Sequence, residues 1–386
     1  MASTSALGIL ETRGMTALVG ATDAMLKVAQ VDLCGRHGVG SGWVTVAIQG
    51  EVASVQTALA TGREMAESLG EIITSQVIAR PQMAAMQTMP HREEITAVPL
   101  GGQALGILET QGLAPLIAGA DAMVKGAAVE LAGWAFIGGA LLHTVIRGDV
   151  AAVQTALELG RQAAAQVGPV HASLVIPQPD PGLGPLMPPP PQAQGVTTGA
   201  LGVVETTGYT CAVAGADAMV KAADVEVLRL TIGSGGRIAV LAQGSLDAMQ
   251  AAVDAGAQAI GRLGETNAVE VVSRPSLDVM ACFGGLAEAP APILAGRAMG
   301  LIETRSTIAL VKAVDQMLKS ADVEYDGSYK VGYYLTAAVL RGDVGAVQVA
   351  LDAGAVEGAK YGEVVAVHLI PYPFAELEGR LSHLHE

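Results

Sequence analysis

The sequence predicts an α+β protein in which one β-α-β-β-α-β unit, a ferredoxin-like split βαβ, is used four times. Each unit is an antiparallel sheet with helices packed on one face. Three observations lead there. A set of sequence markers recurs at constant register. Each recurrence carries the same order of helical and alternating apolar periods. The chain is 51% hydrophobic but only 3% aromatic, so small repeated cores must be built from Ala, Val, Leu, Ile and Met.

The first copy justifies the elements in order. ALGILET (6–12) is a short apolar run that ends at a polar turn and reads as a strand. Residues 16–28 place Leu18, Ala21, Met25 and Val28 at helical steps. Gln30 to Arg36 alternates as a strand, His37–Gly42 is a glycine-rich turn, and Trp43 to Gln49 is β-rich. Residues 51–69 put Val52, Val55, Leu59, Ala66 and Leu69 on one helical face, and Ile72 to Ala79 forms the last strand.

The string L-G-x-x-E-T then returns, with Met299 for Leu in the fourth copy, and places Glu11, Glu109, Glu205 and Glu303 at steps of 98, 96 and 98. The Lys that closes D-x-M-x-K falls at Lys27, Lys125, Lys221 and Lys319 with the same steps. Gly50, Gly148, Gly244 and Gly342 follow, then Pro81, Pro179, Pro275 and Pro373. Constant spacing of four markers means four homologous domains, at 4–81, 104–179, 199–275 and 298–373. Segments 82–103, 180–198 and 276–297 read as surface linkers, the middle one Pro-rich and extended, and 374–386 as a tail. The copies alternate A-B-A-B. Copies 1 and 3 carry Gln49 or Gln243 and close on Arg80 or Arg274 before Pro. Copies 2 and 4 carry R-G-D-V from Arg147 and Arg341, with Gln178 and Tyr372 before the last Pro.

Composition excludes several classes. The net charge of −15 disfavours nucleic acid and anionic membranes as partners. No run of 18 apolar residues offers a membrane span, and MASTSALGIL shows no signal-peptide pattern. Cys34, Cys211 and Cys282 have no CxxC spacing, which suits a reducing cytoplasm. Charged residues are only 15% and Gly numbers 48, as though much of the surface were used in contacts.

LGILETRGMTALVGATDAMLK, VGSGWVTVAIQGEVASVQTAL and VIARP together resemble the bacterial microcompartment shell domain, and the likeness runs through all four copies over roughly 320 residues. The resemblance implies a six-sided disc that tiles into the shell of a carboxysome or metabolosome in the bacterial cytoplasm, with a central pore for small metabolites. It implies as pore loops Val39-Gly40-Ser41-Gly42, Ile137-Gly138-Gly139-Ala140, Gly233-Ser234-Gly235-Gly236 and Val331-Gly332-Tyr333-Tyr334. Glycine lets backbones crowd one axis and turn amides inward, where they attract small anions. The alternative is an ordinary hairpin turn. Tyr333 and Tyr334 break the Gly-Ser pattern and would narrow or gate an opening. Lys27, Lys125, Lys221 and Lys319, with Arg80 and Arg274, would lie at tile edges; a helix-terminal Lys also suits the helix dipole.

The four recurrent Glu read as structural caps on backbone amides of the helix that follows each. His171 and His368 share a late-strand position, and no H-E-x-x-H pattern, phosphate loop or nucleophile elbow occurs. No enzyme activity, cofactor or metal is therefore expected. Proteins with two such domains form trimers that mimic a hexamer; here three chains would supply twelve domains, or two pseudohexameric discs, stacked or side by side. Other shell proteins would be partners. The competing function is a small-molecule-binding regulator, since this sandwich fold also serves as a sensor.

Overall fold

A computed structural model of the chain describes residues 5–81, 100–188, 199–232, 234–283, 297–331 and 335–373. It divides into two compact units, unit 1 (Met1–Gln192) and unit 2 (Ala193–Glu386), each holding two repeats.

Repeat 1 runs β1 (Ala6–Arg13), α1 (Met15–Val28), β2 (Val31–Gly40), β3 (Trp43–Gly50), α2 (Val52–Leu69) and β4 (Glu71–Ile78). Repeat 2 is β5 (Ala104–Gln111), α3 (Leu113–Gly126), β6 (Val129–Gly138), β7 (Leu141–Gly148), α4 (Val150–Val167) and β8 (Val170–Ile176). Repeat 3 is β9 (Ala200–Thr207), α5 (Tyr209–Ala222), β10 (Val225–Ile232), β11 (Arg237–Gly244), α6 (Leu246–Gly261) and β12 (Thr266–Val272). It is followed by α7 (Leu277–Phe283). Repeat 4 is β13 (Ala298–Thr304), α8 (Thr307–Ser320), β14 (Val323–Val331), β15 (Leu335–Gly342), α9 (Val344–Gly358) and β16 (Val364–Ile370). Each repeat forms a four-stranded antiparallel sheet in the order β2-β3-β1-β4 or its equivalent.

Two motif positions show why the unit repeats so faithfully. The two helices of each repeat meet at a Met against a Gly: Met25 on Gly62, Met123 on Gly160, Met219 on Gly256 and Met317 on Gly354. A Cβ on Gly160 would stand 2.4 Å from Met123 Cγ, so the Gly is the hole for the Met of D-x-M-x-K. The Gly of L-G-x-x-E-T likewise lets the second helix approach the central strand, since a Cβ on Gly8 would lie 2.7 Å from Val55 Cγ1.

The described parts of the second and third linkers, 180–188 and 276–283, differ from the extended surface spacers that composition predicts; 82–99, 189–198 and 284–296 lie outside the described residues. Pro181–Leu186 closes a 3-10 helix, started by Asp180 accepting the Gly182 amide, and Leu183, Leu186 and Met187 are buried with the core of repeat 1. The Asp180 amide in turn donates to Asp23 on α1 at 2.8 Å. In the third segment α7 buries Val279, Met280 and Phe283, and Arg229 on β10 donates to the Phe283 carbonyl at 2.8 Å. Apolar burial overrides the local propensity of Pro-, Gly- and Ala-rich sequence in both places.

Candidate functional site

The first helices of repeats 1 and 3 begin in the same unusual way. Gly14 and Gly208 hold left-handed φ values of 94° and 102° and have no side chain with which to cap. The missing cap comes from the neighbouring repeat. The Met15 and Thr16 amides donate to Oε1 and Oε2 of Glu109 at 3.1 and 2.8 Å. In unit 2 the Tyr209 and Thr210 amides donate to Glu303 at 3.0 and 3.3 Å. One carboxylate thus satisfies two orphan donors and meets the positive end of the helix dipole. A Cβ on Gly14 would come within 2.7 Å of Glu109 Oε1, and one on Gly208 within 2.7 Å of Glu303 Oε2. The expected cap on the following helix is therefore corrected for these two: each reaches the first helix of the repeat before its own.

Burial raises the carboxyl pKa of Glu109 and of Glu303, and the amide hydrogen bonds pull it partly back. Glu11 is half-buried and accepts the Thr45 hydroxyl at 2.9 Å. Glu205 is buried on β9, paired with Ala239 and Ala268, the register at which Glu303 faces Ala337 and Ala366.

This latch joins two repeats into one unit. In unit 1, α1 packs on β5 and β8; in unit 2, α5 packs on β13 and β16. The void beside each latch is filled differently. In unit 1, His143 on β7 is buried next to the charge of Arg36, and its pKa is pushed down to about 3, chiefly by burial. Arg36 Nη1 lies 3.6 Å from Met15 Sδ. In unit 2 the rings of Tyr209 and Tyr329 stack at 4.5 Å and 15°, and the buried Arg341 pairs with Asp326 at 2.8 Å. Cys211, near Glu303, has its thiol pushed up to about 11, chiefly by burial, so it stays protonated and unreactive at neutral pH. A cleft of about 230 Å³ in unit 1 is lined by Arg36, His37, Gly38, Val44, Phe136 and Ile137.

The hairpin tips come together at the same seam. β2 continues to Gly40, so the turn in repeat 1 is only Ser41-Gly42, with Ser41 at φ 53° and Gly42 at 85°. In repeat 2 Gly138, Gly139 and Ala140 have φ of 115°, 59° and 65°. A left-handed Ser and Ala carry a steric cost that only surrounding contacts sustain. The two tips meet backbone to backbone: a Cβ on Gly139 would lie 2.5 Å from the Ser41 carbonyl oxygen. Each tip is tied to its own helix start, with the Gly14, Gly112 and Gly208 amides donating to the Gly42, Ala140 and Gly236 carbonyls at 2.8, 2.9 and 2.8 Å. In repeat 3 Ser234–Gly236 forms a short 3-10 turn with Gly235 and Gly236 left-handed, and Gly236 abuts Leu335 of repeat 4. Val39 and Val331 belong to β2 and β14. Gly233, Gly332, Tyr333 and Tyr334 lie outside the described residues.

The other candidate residues sit apart from the tips. Lys27, Lys125 and Lys221 each reach back four residues to Asp23, Asp121 and Asp217 at 2.5 Å, and Lys319 reaches Asp315 at 2.6 Å. Arg80 and Arg274 are exposed just beyond β4 and β12. His171 and His368 do not share a position, because register pairs His368 with Leu301 whereas Leu174 faces the equivalent Ile107. His171 falls at the bulge in the β5–β8 pairing, beside Gly14 and Glu109; His368 faces Asp217 and Lys221 across the unit 2 seam, and burial lowers its pKa. Among the described residues no group of three or more His, Cys, Asp or Glu is arranged to hold a metal ion, and no helix is long and apolar enough to cross a membrane.

Comparison with known proteins fits this arrangement. A family model described as the BMC domain matches residues 6–81, 104–179, 200–275 and 298–373. The carboxysome assembly protein CcmO of a Synechocystis strain is 39% identical over 184 residues, covering 46% of this chain and 62% of that protein. The bacterial microcompartment shell protein PduA of Citrobacter freundii is 47% identical over 81 residues, 21% of this chain and 87% of PduA. EutM of Escherichia coli, also a bacterial microcompartment shell protein, is 47% identical over 81 residues, 21% of this chain and 84% of EutM. The chain thus spans less than two thirds of the length of the CcmO relative and most of the single-domain ones. With the same sheet order in every repeat and the family model matching all four, the chain belongs to the BMC-domain family.

Proposed function

We propose that the chain is a structural component of a bacterial microcompartment shell in the bacterial cytoplasm, not an enzyme. Three chains supply twelve repeats and close two six-sided discs, each with a central opening lined by the hairpin tips. The observation that carries the reading is the seam itself. Neighbouring repeats are locked side by side by a buried carboxylate, and in unit 1 the two glycine tips meet backbone to backbone. The alternation of two repeat types along the chain, with boundaries near 4–81, 104–179, 199–275 and 298–373, makes each A-B pair one third of a disc.

The match to a carboxysome assembly protein extends over two repeats' length and supports a carboxysome as the compartment. Tip backbone amides and, in unit 1, the Arg36 and His37 cleft beside them favour small anionic metabolites as the passing solutes. Other shell proteins are the lateral partners, met along the edges that carry Lys27, Lys125, Lys221, Lys319, Arg80 and Arg274. Native mass spectrometry should give about three times the 39.0 kDa chain mass, and electron microscopy of the expressed protein should show discs or sheets. A stable monomer with no ordered assembly would overturn the proposal.

A further inference from the structure

The second helices of the four repeats differ on their outer face. Two positions, seven residues apart, stand exposed in every copy. They hold Thr57 and Glu64 on α2, Thr155 and Gln162 on α4, and Ala251 and Gln258 on α6. On α9 they hold Val349 and Val356, 52% and 67% exposed. Residues seven apart lie on one side of a helix, so α9 carries an apolar stripe that its three counterparts lack. Gly345 continues the stripe one turn earlier. A Cβ placed there would meet no atom within 4 Å among the described residues, so this end of the face has open room.

The chain itself supplies a cover of matching shape. Residues 374–386 lie outside the described residues, but their sequence puts Phe374, Leu377, Leu381 and Leu384 at steps of 3, 4 and 3, the spacing of one apolar helical face. Glu376, Ser382, His383 and Glu386 fall on the opposite side of that spacing. Pro373 precedes the pattern, as Pro does at helix starts. The point of departure is also right. β16 ends at Ile370, paired with Met299 on β13; one step further Ala298 pairs with Gly342, and α9 begins at Val344. The sequence after β16 therefore leaves from the end of the sheet at which α9 starts. Wound as a helix, 374–386 would span about 20 Å, against about 22 Å for the 15 residues of α9. The segments that follow β8 and β12 also turn back onto the protein and bury Leu183, Leu186 and Met187 in one case and Val279, Met280 and Phe283 in the other. A short tether holds 374–386 beside α9 at a high effective concentration, which favours it over an untethered partner.

We infer that 374–386 docks along α9 of its own chain, with Phe374 over Gly345 and with Leu377, Leu381 and Leu384 covering Val349 and Val356. The outer face of α9 is then closed by the chain itself and is not a surface for a second copy. The inference concerns one chain only and stands or falls independently of the disc reading.

The test uses the full chain. Val349→Thr with Val356→Glu gives α9 the residues that α2 carries at the same exposed positions, so the fold is kept, which circular dichroism verifies. Two readouts follow the segment: hydrogen exchange of its amides, and trypsin cleavage after Arg380. In the wild type both should run at least about ten-fold slower than in a free peptide of the same sequence. The double variant loses the burial of two aliphatic side chains and should speed both by about ten-fold or more. Leu377→Ser with Leu381→Ser should do the same from the other side, and the four changes together should add nothing further. Free-peptide rates in the wild type would overturn the inference, and so would protection that the α9 variant leaves intact. Protection that rises with protein concentration would assign the face to a second copy and overturn it equally.

Discussion

Units 1 and 2 solve the same seam with different material. Both place a carboxylate from the second repeat across the first helix of the first, Glu109 in one and Glu303 in the other. Around it, unit 1 uses Met15, Arg36 and His143, whereas unit 2 uses a tyrosine stack and a buried Arg341–Asp326 pair. The latch answers a demand that any sequence in this fold must meet, two orphan amides inside an interface. The surrounding space only needs filling, and cores accept many fillings of similar volume. What differs is therefore informative about behaviour, and what is shared is informative about architecture.

The largest effect should come from breaking what is shared. Glu109→Ala and Glu303→Ala each leave two buried amides without an acceptor and should cost their own unit about 3 kcal/mol, read as a fall in the urea midpoint. The Gln variants should cost far less, because burial already disfavours the charged form in both carboxyls. Equal costs for Ala and Gln would mean that charge, not acceptor geometry, holds the seam.

The next effect separates the units by pH. His143 is neutral when folded, with a pKa about 3 against 6.5 when free, so the unfolded chain binds the extra proton between those values. Stability is therefore lost as pH falls below 6.5, by about 1.4 kcal/mol per unit down to about pH 3. Glu109 acts with the opposite sign: its raised pKa means that the folded state takes up its proton first, so acidification from neutral favours the fold through its window above 4.5. Unit 2 has Ala337 at the register of His143. His143→Ala should flatten the acid slope of unit 1, measured by thermal unfolding from pH 7 to 4.5. An unchanged slope would assign acid sensitivity to other groups.

The smallest effect tests the filling. Tyr329→Leu in unit 2 removes one face of the stack at 4.5 Å and should cost about 1 kcal/mol beyond lost area. A loss above about 3 kcal/mol would show that the stack is part of the latch and not filler.

The repeat architecture was legible because period and register are written locally: Leu18, Ala21, Met25 and Val28 mark α1, and the D-x-M-x-K Met finds its Gly in every copy. The recurrent Glu was visible as a structural carboxylate, but its destination was not. Its partners lie 94 and 93 positions away in another repeat, and no local pattern encodes a contact across a seam. The signal that could have suggested it is an acidic residue fixed four times within an otherwise apolar strand. Pro181–Leu186 and Leu277–Phe283 escaped because one short turn or two carry too few residues to show a period. The open face of α9 was legible only in part: Val349 and Val356 are plain in the sequence, but exposure depends on which neighbour arrives.

The latch also sets an order of events during synthesis. The amides that open α1 have no acceptor until β5 has been made, since Glu109 is 94 residues downstream of Met15. Repeat 1 can collapse when it leaves the ribosome, but its first helix stays uncapped until the first strand of repeat 2 has followed. The smallest piece that can finish folding is thus a pair of repeats, and unit 1 reaches that point before Tyr209 and Glu303, the corresponding ends of unit 2, have both been translated. A ribosome stalled between the two should carry a protease-resistant pair, and one stalled before β5 should not.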